Sequence, residues 1–490
     1  MTMTTNGGDP AAARADLEAW QRDVGSNRFD SDPFFVGLYR RRLGEHAEDR
    51  IRRVAELVGP ALDDAVAECG RDDNLPEIQR HDGLGRRIEA VRFHPSYHRV
   101  GRAFWGSGVL SVLAEPGSDT LCGALAYLLD QHGEAGHACP VACTAGAIKL
   151  LQRVGTEDQR RRYLQRLLTD DYDRRLHAAQ FVTEVQGGSD VGRNACVAEP
   201  MPDRPGWYRI SGEKWFCSVA DAGLFVVSAR PDGAPSGTRG LGLFLVPRVL
   251  DGAPNGFVLR RLKSKLGTRA MATGEIDFDG ALGELIGPLE QGFKNLVGIV
   301  LDTSRVHNAV AACGLMRRAV VSAGAFARHR HAFDHAVVDF PAAQEILARM
   351  QMTTMACLAS TFRVLGLSDR VERGEGGDSL RSARRIAVMI NKYWTALAAT
   401  RVVRDGIEML GGNGTIEDFS VLPRLYRDAI VVESWEGTHN TLCAQVARDV
   451  IVRGMHRAWL EEVAAESEAL GSKGFAGTAR GLLDGAREGL

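Results

Sequence analysis

The sequence predicts an α+β protein in which two helical blocks flank a small β domain. Two observations carry that expectation. Apolar residues recur at helical spacing in the first and last thirds, and between them short strand-like runs are separated by Gly, Pro and Asp. A chain of 490 residues with 44% hydrophobic content can also bury more than one core, so two or three packed regions are expected.

The opening residues, MTMTTNGGDP, are small and polar, and residues 1–35 are expected to be a flexible or extended segment. Residues 36–178 read as helices, as in CTAGAIKLLQRVGTEDQRRRYLQRLL (143–168), where Gly155 punctuates two periodic runs. Residues 179–290 carry the strand-like runs GWYRISG (206–212), LFVVSAR (224–230), LGLFLVP (241–247) and EIDFD (275–279), which predict a small barrel or sandwich. From 291 to 453 helices return: Phe293, Leu296, Val297, Val300 and Leu301 fall on one face, and the polar SDRVERGEGGDSL (368–380) is expected to be a loop between two of them. Residues 454–490 form a short helical extension.

Composition excludes several classes. Sixty basic residues against 62 acidic ones leave a formal net charge of −2, so no whole-chain field draws the protein to nucleic acid or membrane. Nine scattered cysteines, several in apolar runs (Cys122, Cys313, Cys357), point to free thiols and a cytoplasmic setting rather than a disulfide framework. No charged leader precedes an apolar run, and no uninterrupted apolar stretch reaches the ~20 residues that cross a bilayer, so a soluble protein is expected. His132, His137, Cys139 and Cys143 fit no standard zinc spacing, and no metal is expected. GGNG (411–414) lacks the strand–turn–helix setting of a dinucleotide fingerprint, which disfavours a nicotinamide enzyme.

Four segments stand out: TEVQGGSD (183–190), KWFCS (214–218), GGNG and WEGTHN (435–440). Each alone has a structural explanation: a Gly-rich turn, a buried strand, a helix stop, a helix N-terminus. Together, in this order and on this domain plan, they resemble the acyl-CoA dehydrogenase family over about residues 90–450. The resemblance implies that family's architecture, with a C-terminal four-helix bundle, and FAD as cofactor. It implies that Phe181, Val182, Thr183 and Ser189 lie along the cofactor, Thr183 bonding the flavin pyrimidine and Ser189 near the phosphates or the thioester arm. Phe216, Cys217 and Ser218 would line the flavin's other side, with the Ser218 hydroxyl near N5.

By the same resemblance Arg330 and Phe333 in RHAF (330–333) contact the FAD of a neighbouring subunit, and a guanidinium fork suits a diphosphate. Gly411, Gly412, Asn413 and Gly414 would bring main-chain N–H groups to the same dinucleotide, so a homotetramer, or at least a dimer, is implied. Glu436 would be the base, Thr438 and Asn440 would contact FAD, and Trp435 would wall the acyl pocket. Arg305 falls on the apolar stripe of its helix, where a charge needs a partner, and 25 residues before Arg330 it matches the family's Arg near the base. Asp302 could then reach the thioester arm. Some members place the base immediately before this Arg, where this chain has Ser304.

These residue types suit removal of an α-proton and a β-hydride from an acyl thioester. A carboxylate with a pKa near ~4.3 is a weak base, and burial beside Trp435 would strengthen Glu436. The partners implied are an acyl-CoA or acyl-carrier-protein thioester, with an electron-transfer flavoprotein or oxygen as acceptor. HDGLGRRIEAVRFHPSYH (81–98), HGEAGHACP (132–140) and RLKSKLGTRA (261–270) resemble the family's DNA-alkylation-response branch. Residues 454–490 hold four Lys or Arg against six Asp or Glu, so this tail is not expected to bind DNA. Glu408 stands where many fatty-acid enzymes have Gln, and a carboxylate there needs a partner. Two other functions fit the fold: flavin-dependent oxidase or monooxygenase chemistry, in relatives that usually lack the Glu, and an alkylation-stress or nucleic-acid-associated protein with weak or no dehydrogenase activity.

Overall fold

The first helix arises where a flexible or extended segment is expected. Asp9 accepts a hydrogen bond from the Ala11 N–H at 2.9 Å, Pro10 fills the first turn, and the Ala-rich run that follows favours helix, giving α1 (Pro10–Val24). Trp20 pins it. Its ring stacks on Phe419 at 5.0 Å and meets Phe326 edge-on at 5.8 Å, and its indole N–H donates to the Ser322 carbonyl at 3.1 Å. Burying such a ring contributes about 2–3 kcal/mol, enough to hold a short helix that is marginal alone. The computed structural model describes residues 9–469.

The rest of the N-terminal domain is α2 (Pro33–Leu43), α3 (Glu48–Leu57), α4 (Pro60–Cys69), α5 (Pro95–Gly106), α6 (Asp119–Leu129), α7 (Ala138–Val154) and α8 (Glu157–Leu167). The break at Gly155 is sealed by a capping box between Thr156 and Gln159, which ends one helix and starts the next. The helical expectation misses one hairpin, β1 (Glu77–His81) with β2 (Arg87–Arg92). Its turn is organised by Asp82, whose Oδ1 accepts from the Leu84 and Arg86 N–H groups at 2.8 and 2.9 Å.

The central domain has β3 (Ala178–Phe181), β4 (Val197–Pro200), β5 (Trp207–Ser218), β6 (Leu224–Pro231), β7 (Gly242–Pro247), the small ribbon β8 (Val249–Leu250) and β9 (Ala253–Pro254), β10 (Phe257–Leu262) and β11 (Thr273–Leu285). Pairing runs β11–β5–β4–β6–β7 and back to β11, which closes a five-membered barrel with β10 and β3 as side strands. Closure removes the free edges that an open sheet of this size would present. Phe225, Val227, Phe244, Ile276 and Phe278 fill the interior.

The last domain begins with α9 (Gly292–Asn295), a π-helical turn over Leu296–Leu301, and α10 (Asp302–His329). The extra residue per π-turn explains why the expected single face is uneven: Leu296 and Val300 are buried, while Phe293, Val297 and Leu301 are half-buried. A small hairpin, β12 (His331–Ala332) and β13 (His335–Ala336), leads to α11 (Pro341–Glu372), α12 (Gly377–Leu410), α13 (Leu422–Ser434), α14 (His439–Ile451) and α15 (His456–Ala469). The loop expected over 368–380 shrinks to residues 373–376, because α11 continues through its charged end. In the C-terminal extension, α15 uses its acidic side on α11, with Glu462 to Arg370 and Glu466 to Arg363 both at 2.6 Å. The remainder of that extension lies outside the described residues. Among the described residues one continuous helical stretch, Leu289–His329, is long and apolar enough to cross a membrane, but 83% of its apolar window is buried inside the bundle, so its apolarity is that of a core helix.

Candidate active site

The site is built on the link between α13 and α14. Asp428, buried at the middle of α13, accepts from the Thr268 N–H at 2.7 Å and the Glu134 N–H at 3.1 Å, tying this helix to both other domains. The chain then turns through Trp435, Glu436 and Gly437 before α14 begins. Glu436 has φ +56°, a left-handed conformation that costs a non-glycine residue about 1 kcal/mol or more, and Gly437 follows at φ +101°. Buried cations hold this turn. Lys392 of α12 donates to the carbonyls of Glu433 and Gly437, each at 3.0 Å, and Arg305 Nε donates to the Glu436 carbonyl at 3.0 Å. Among the described residues the Glu436 N–H bonds no main-chain acceptor.

The Glu436 carboxylate meets Gln180, whose Nε2 donates to it at 2.9 Å and to the Ser304 hydroxyl at 3.0 Å. Burial pushes its pKa above the ordinary glutamate value, against the opposing pull of Arg305, Lys392 and the Gln180 hydrogen bond. It stands on a cavity with about 500 Å³ of atom-free space, counting the opening, walled by α6, α7, α10 and Trp435. Ser304 lies on the same wall, so the alternative base position holds a hydroxyl that shares Gln180 with the carboxylate. Asp302 does not extend into this space. Its two oxygens face Arg305 at 3.4 Å and Arg384 at 3.5 Å, and this carboxylate is the partner that Arg305 on the apolar stripe required.

Thr183 to Ser189 run beside this turn. Gly188 packs on Thr183 so closely that an added Cβ would fall 2.4 Å from its Oγ1, and Ser189 Oγ lies 3.3 Å from Thr441 Oγ1, which is itself 3.1 Å from Thr438 Oγ1. Asn440 is exposed on the same helix start. On β5, alternation splits the expected flavin-lining trio. Phe216 is 53% exposed and Ser218 half-buried, but the Cys217 side chain is sealed in the barrel core, as is Phe181, whose ring packs on Phe225 at 4.7 Å. Val182 is buried too, its carbonyl accepting from Asn194 at 2.9 Å. Cys217, Phe181 and Val182 can therefore offer a ligand only main-chain groups. An exposed aromatic face, hydroxyls on both flanks and a buried Trp435 Nε1 without a partner suit a flat, hydrogen-bonding ring system, and FAD fits this donor set.

The other expected cofactor residues are elsewhere. Arg330 is exposed, and Phe333 is 89% exposed. Arg330 lies 25 residues beyond Arg305, about 38 Å along the helix direction. Gly411, with φ +61°, follows Lys392 by 19 residues, about 28 Å along α12. The two helices run parallel: a Cβ on Gly406 would lie 3.5 Å from that of Ala319, each 14 residues past its site cation. Arg330, Phe333 and Gly411, Gly412, Asn413 and Gly414 thus share the end of the bundle remote from Glu436. Glu408 there lies 3.8 Å from Arg404.

The histidines and cysteines whose spacing fits no standard zinc pattern occupy separate settings: His132 bonds Asp63 at 2.5 Å, His137 bonds the Tyr97 carbonyl at 2.8 Å, and the Cys139 and Cys143 sulfurs lie 3.8 Å apart on the cavity wall. Sequence reasoning missed Gln180, Lys392, Arg384 and Gln445, whose amide oxygen takes Arg305 Nη2 at 3.3 Å. Lys392 carried a signal: a lysine within the apolar face of a long helix needs acceptors. Gln180 carried none.

Comparison with known proteins agrees domain by domain. The description "Adaptive response protein AidB N-terminal domain" matches residues 21–174, "Acyl-CoA dehydrogenase, middle domain" residues 179–281, and "Acyl-CoA dehydrogenase, C-terminal domain" residues 290–451. The chain is 34% identical over 448 residues to the putative acyl-CoA dehydrogenase AidB of Escherichia coli, covering 86% of this chain and 78% of that protein. It is 33% identical over 439 residues to acyl-CoA dehydrogenase family member 11 of Caenorhabditis elegans, covering 86% and 70%. The crystal structure of Caenorhabditis elegans ACDH-11 in complex with C11-CoA superposes with a TM-score of 0.82 at 28% identity, covering 91% of this chain and 78% of that one. Fold, domain order and relatives agree: this chain belongs to the acyl-CoA dehydrogenase family and carries the AidB type of N-terminal domain.

Proposed function

We propose that the protein is an FAD-dependent acyl-CoA dehydrogenase in which Glu436 removes the substrate α-proton. The observation that carries this reading is the placement of Glu436: a carboxylate on an apolar cavity, in a left-handed turn whose carbonyls are held by buried cations. Desolvation makes it a stronger base than free glutamate, and Gln180 orients the oxygen it bonds. The unbonded Glu436 N–H can donate to a thioester carbonyl, which stabilises the enolate as the proton moves to the carboxylate. The chemistry that a bound FAD supplies is acceptance of the hydride from the β-carbon. Thr183, Ser189, Phe216, Ser218, Thr438 and Asn440 would hold it from one chain. Arg330, Phe333 and the 411–414 turn are too far along the bundle to serve the same site, which supports a homodimer or homotetramer with shared cofactor sites. An electron-transfer flavoprotein or oxygen would take the electrons onward. Nine cysteines without disulfides, eight of them buried, suit a cytoplasmic setting.

An acyl-CoA substrate is supported by the C11-CoA complex of the structural relative. Anaerobic titration of the purified yellow protein with a series of acyl-CoAs tests the proposal. Wild-type flavin is expected to bleach, and Glu436→Gln to bind the same thioester while bleaching at least about 10³-fold more slowly. If no thioester bleaches the wild type, the reading fails.

A further inference from the structure

The cavity on which Glu436 stands is not lined as a plain hydrocarbon pocket. Ala126, Leu129, Val141, Ala142 and Ala311 form an apolar sleeve, but Asp130, at the C-terminal end of α6, also contributes to the wall. Asp130 is only 4% exposed, and no donor from the described residues reaches its carboxyl; the influences on it are burial and repulsion from Glu134. Both push its pKa well above the ordinary aspartate value. On the same wall Asn308 donates its amide to the Val432 carbonyl at 3.1 Å, which fixes the orientation of that amide and leaves its Oδ1 buried without a partner. An unmet buried acceptor costs about 1–3 kcal/mol, so Asn308 Oδ1 and the unpaired Asp130 carboxyl on this wall call for polar groups that enter from outside.

Helix α10 gives the depth. Ser304, His307, Asn308 and Ala311 line the cavity in order, with Ser304 linked through Gln180 to Glu436. Gly314 continues this face, and an added Cβ there would come within 3.1 Å of the Asp130 Cβ. The ten residues from Ser304 to Gly314 span about 15 Å, so Asp130 closes the end of the cavity remote from the base. His307 lies one turn beyond Ser304 on this face, its pKa pulled down to about 4 by burial and by Lys149. The far end therefore presents an unpaired carboxyl group, whereas the α6 and α7 sides of the sleeve leading to it are largely apolar.

We propose that this cavity selects an acyl chain carrying a hydroxyl group near its far end, and that Asp130 is the specificity-determining residue. The inference rests on the acyl-CoA reading of the site and names its substrate class. A hydroxyl can satisfy the Asp130 carboxyl as donor and acceptor, which a methyl terminus cannot, and a site built for such a bond discriminates strongly against the analogue that lacks it.

The test uses the flavin-loaded enzyme with medium-chain acyl-CoAs matched in length and ending in methyl, hydroxyl or ammonium. Wild type is expected to favour the hydroxyl chain over the methyl chain by about 10-fold or more in kcat/KM, and Asp130→Leu to lose or invert that ratio. Asp130→Asn, which keeps hydrogen-bonding capacity, is expected to retain part of it and guards against a leucine variant that misfolds. Calorimetric Kd values for 3-thia analogues, which cannot undergo the reaction, should show the same order. Equal use of methyl and hydroxyl chains, a preference for ammonium, or a ratio unchanged in Asp130→Leu overturns this proposal while the dehydrogenase reading stands. Absence of bleaching by every thioester is instead the failure of that reading.

Discussion

Replacing Gln180 by alanine isolates the one side-chain hydrogen bond made to the Glu436 carboxylate among the described residues. That bond is 2.9 Å long and lowers the Glu436 pKa, while burial raises it. A hydrogen bond to a charged acceptor contributes about 1.5–3 kcal/mol, and one pKa unit is about 1.4 kcal/mol, so full loss would raise the pKa by about one to two units. Water entering the half-buried site would recover part, which leaves about one unit. Only ionised Glu436 can accept the α-proton, so activity falls as pH drops through its pKa, and raising that pKa moves the fall to higher pH. The assay is stopped-flow flavin bleaching across pH under kcat/KM conditions. In Gln180→Ala the acid limb is expected to shift upward by about one unit with a similar plateau at high pH. Stability should change little, because the Gln180 Oε1 is itself buried without a partner and disappears with the side chain. An acid limb that stays in place would refute the argument that this bond tunes the base.

Lys392 is fully buried, and burial holds its pKa at about 8 against 10.5 for an ordinary lysine. Between those values the folded state binds fewer protons than the unfolded chain, so its contribution to stability rises with pH across that window. Urea denaturation at about pH 7.5 and about pH 10 should show wild type gaining on the order of 2–3 kcal/mol relative to Lys392→Met; a constant difference would contradict it. Gly188→Ala would force a methyl to 2.4 Å from Thr183 Oγ1, so the variant is expected to purify with less than about half the flavin per chain of wild type. Absorbance near the flavin band relative to protein measures this, and full flavin content would show that the Thr183 segment can move without cost.

The domain order was legible because helical and strand periodicities differ and because Gly, Pro and Asp punctuate the barrel strands. The helix α1 was not, since its retention depends on Trp20 meeting Phe326 and Phe419 from distant parts of the chain. The hairpin Glu77–Arg92 was hidden for a different reason: its strands are short, and the Asp82 turn looks like any polar loop. Glu436, Trp435, Ser304 and Arg305 could be read as site candidates because motif and spacing mark them. Phe181 and Cys217 were misjudged because a motif names consecutive residues, whereas a strand sends alternate side chains to opposite faces. Gln180 reaches Glu436, and Asp130 the cavity, through tertiary packing alone, and no local pattern distinguishes either from a surface residue.

The parallel course of α10 and α12 makes these helices rulers. Each runs from a cation that grips the Glu436 turn, Arg305 in the first turn of α10 and Lys392 in the middle of α12, to a segment exposed on the far side of the bundle. Side chains between those points can change with little effect on what the ends present, provided that the core stays packed. Length cannot. One residue inserted after Arg305 or Lys392 would advance the far segment by about 1.5 Å and rotate it by about 100°. Substitution is therefore the cheap route of divergence in this part of the molecule, and insertion or deletion the costly one.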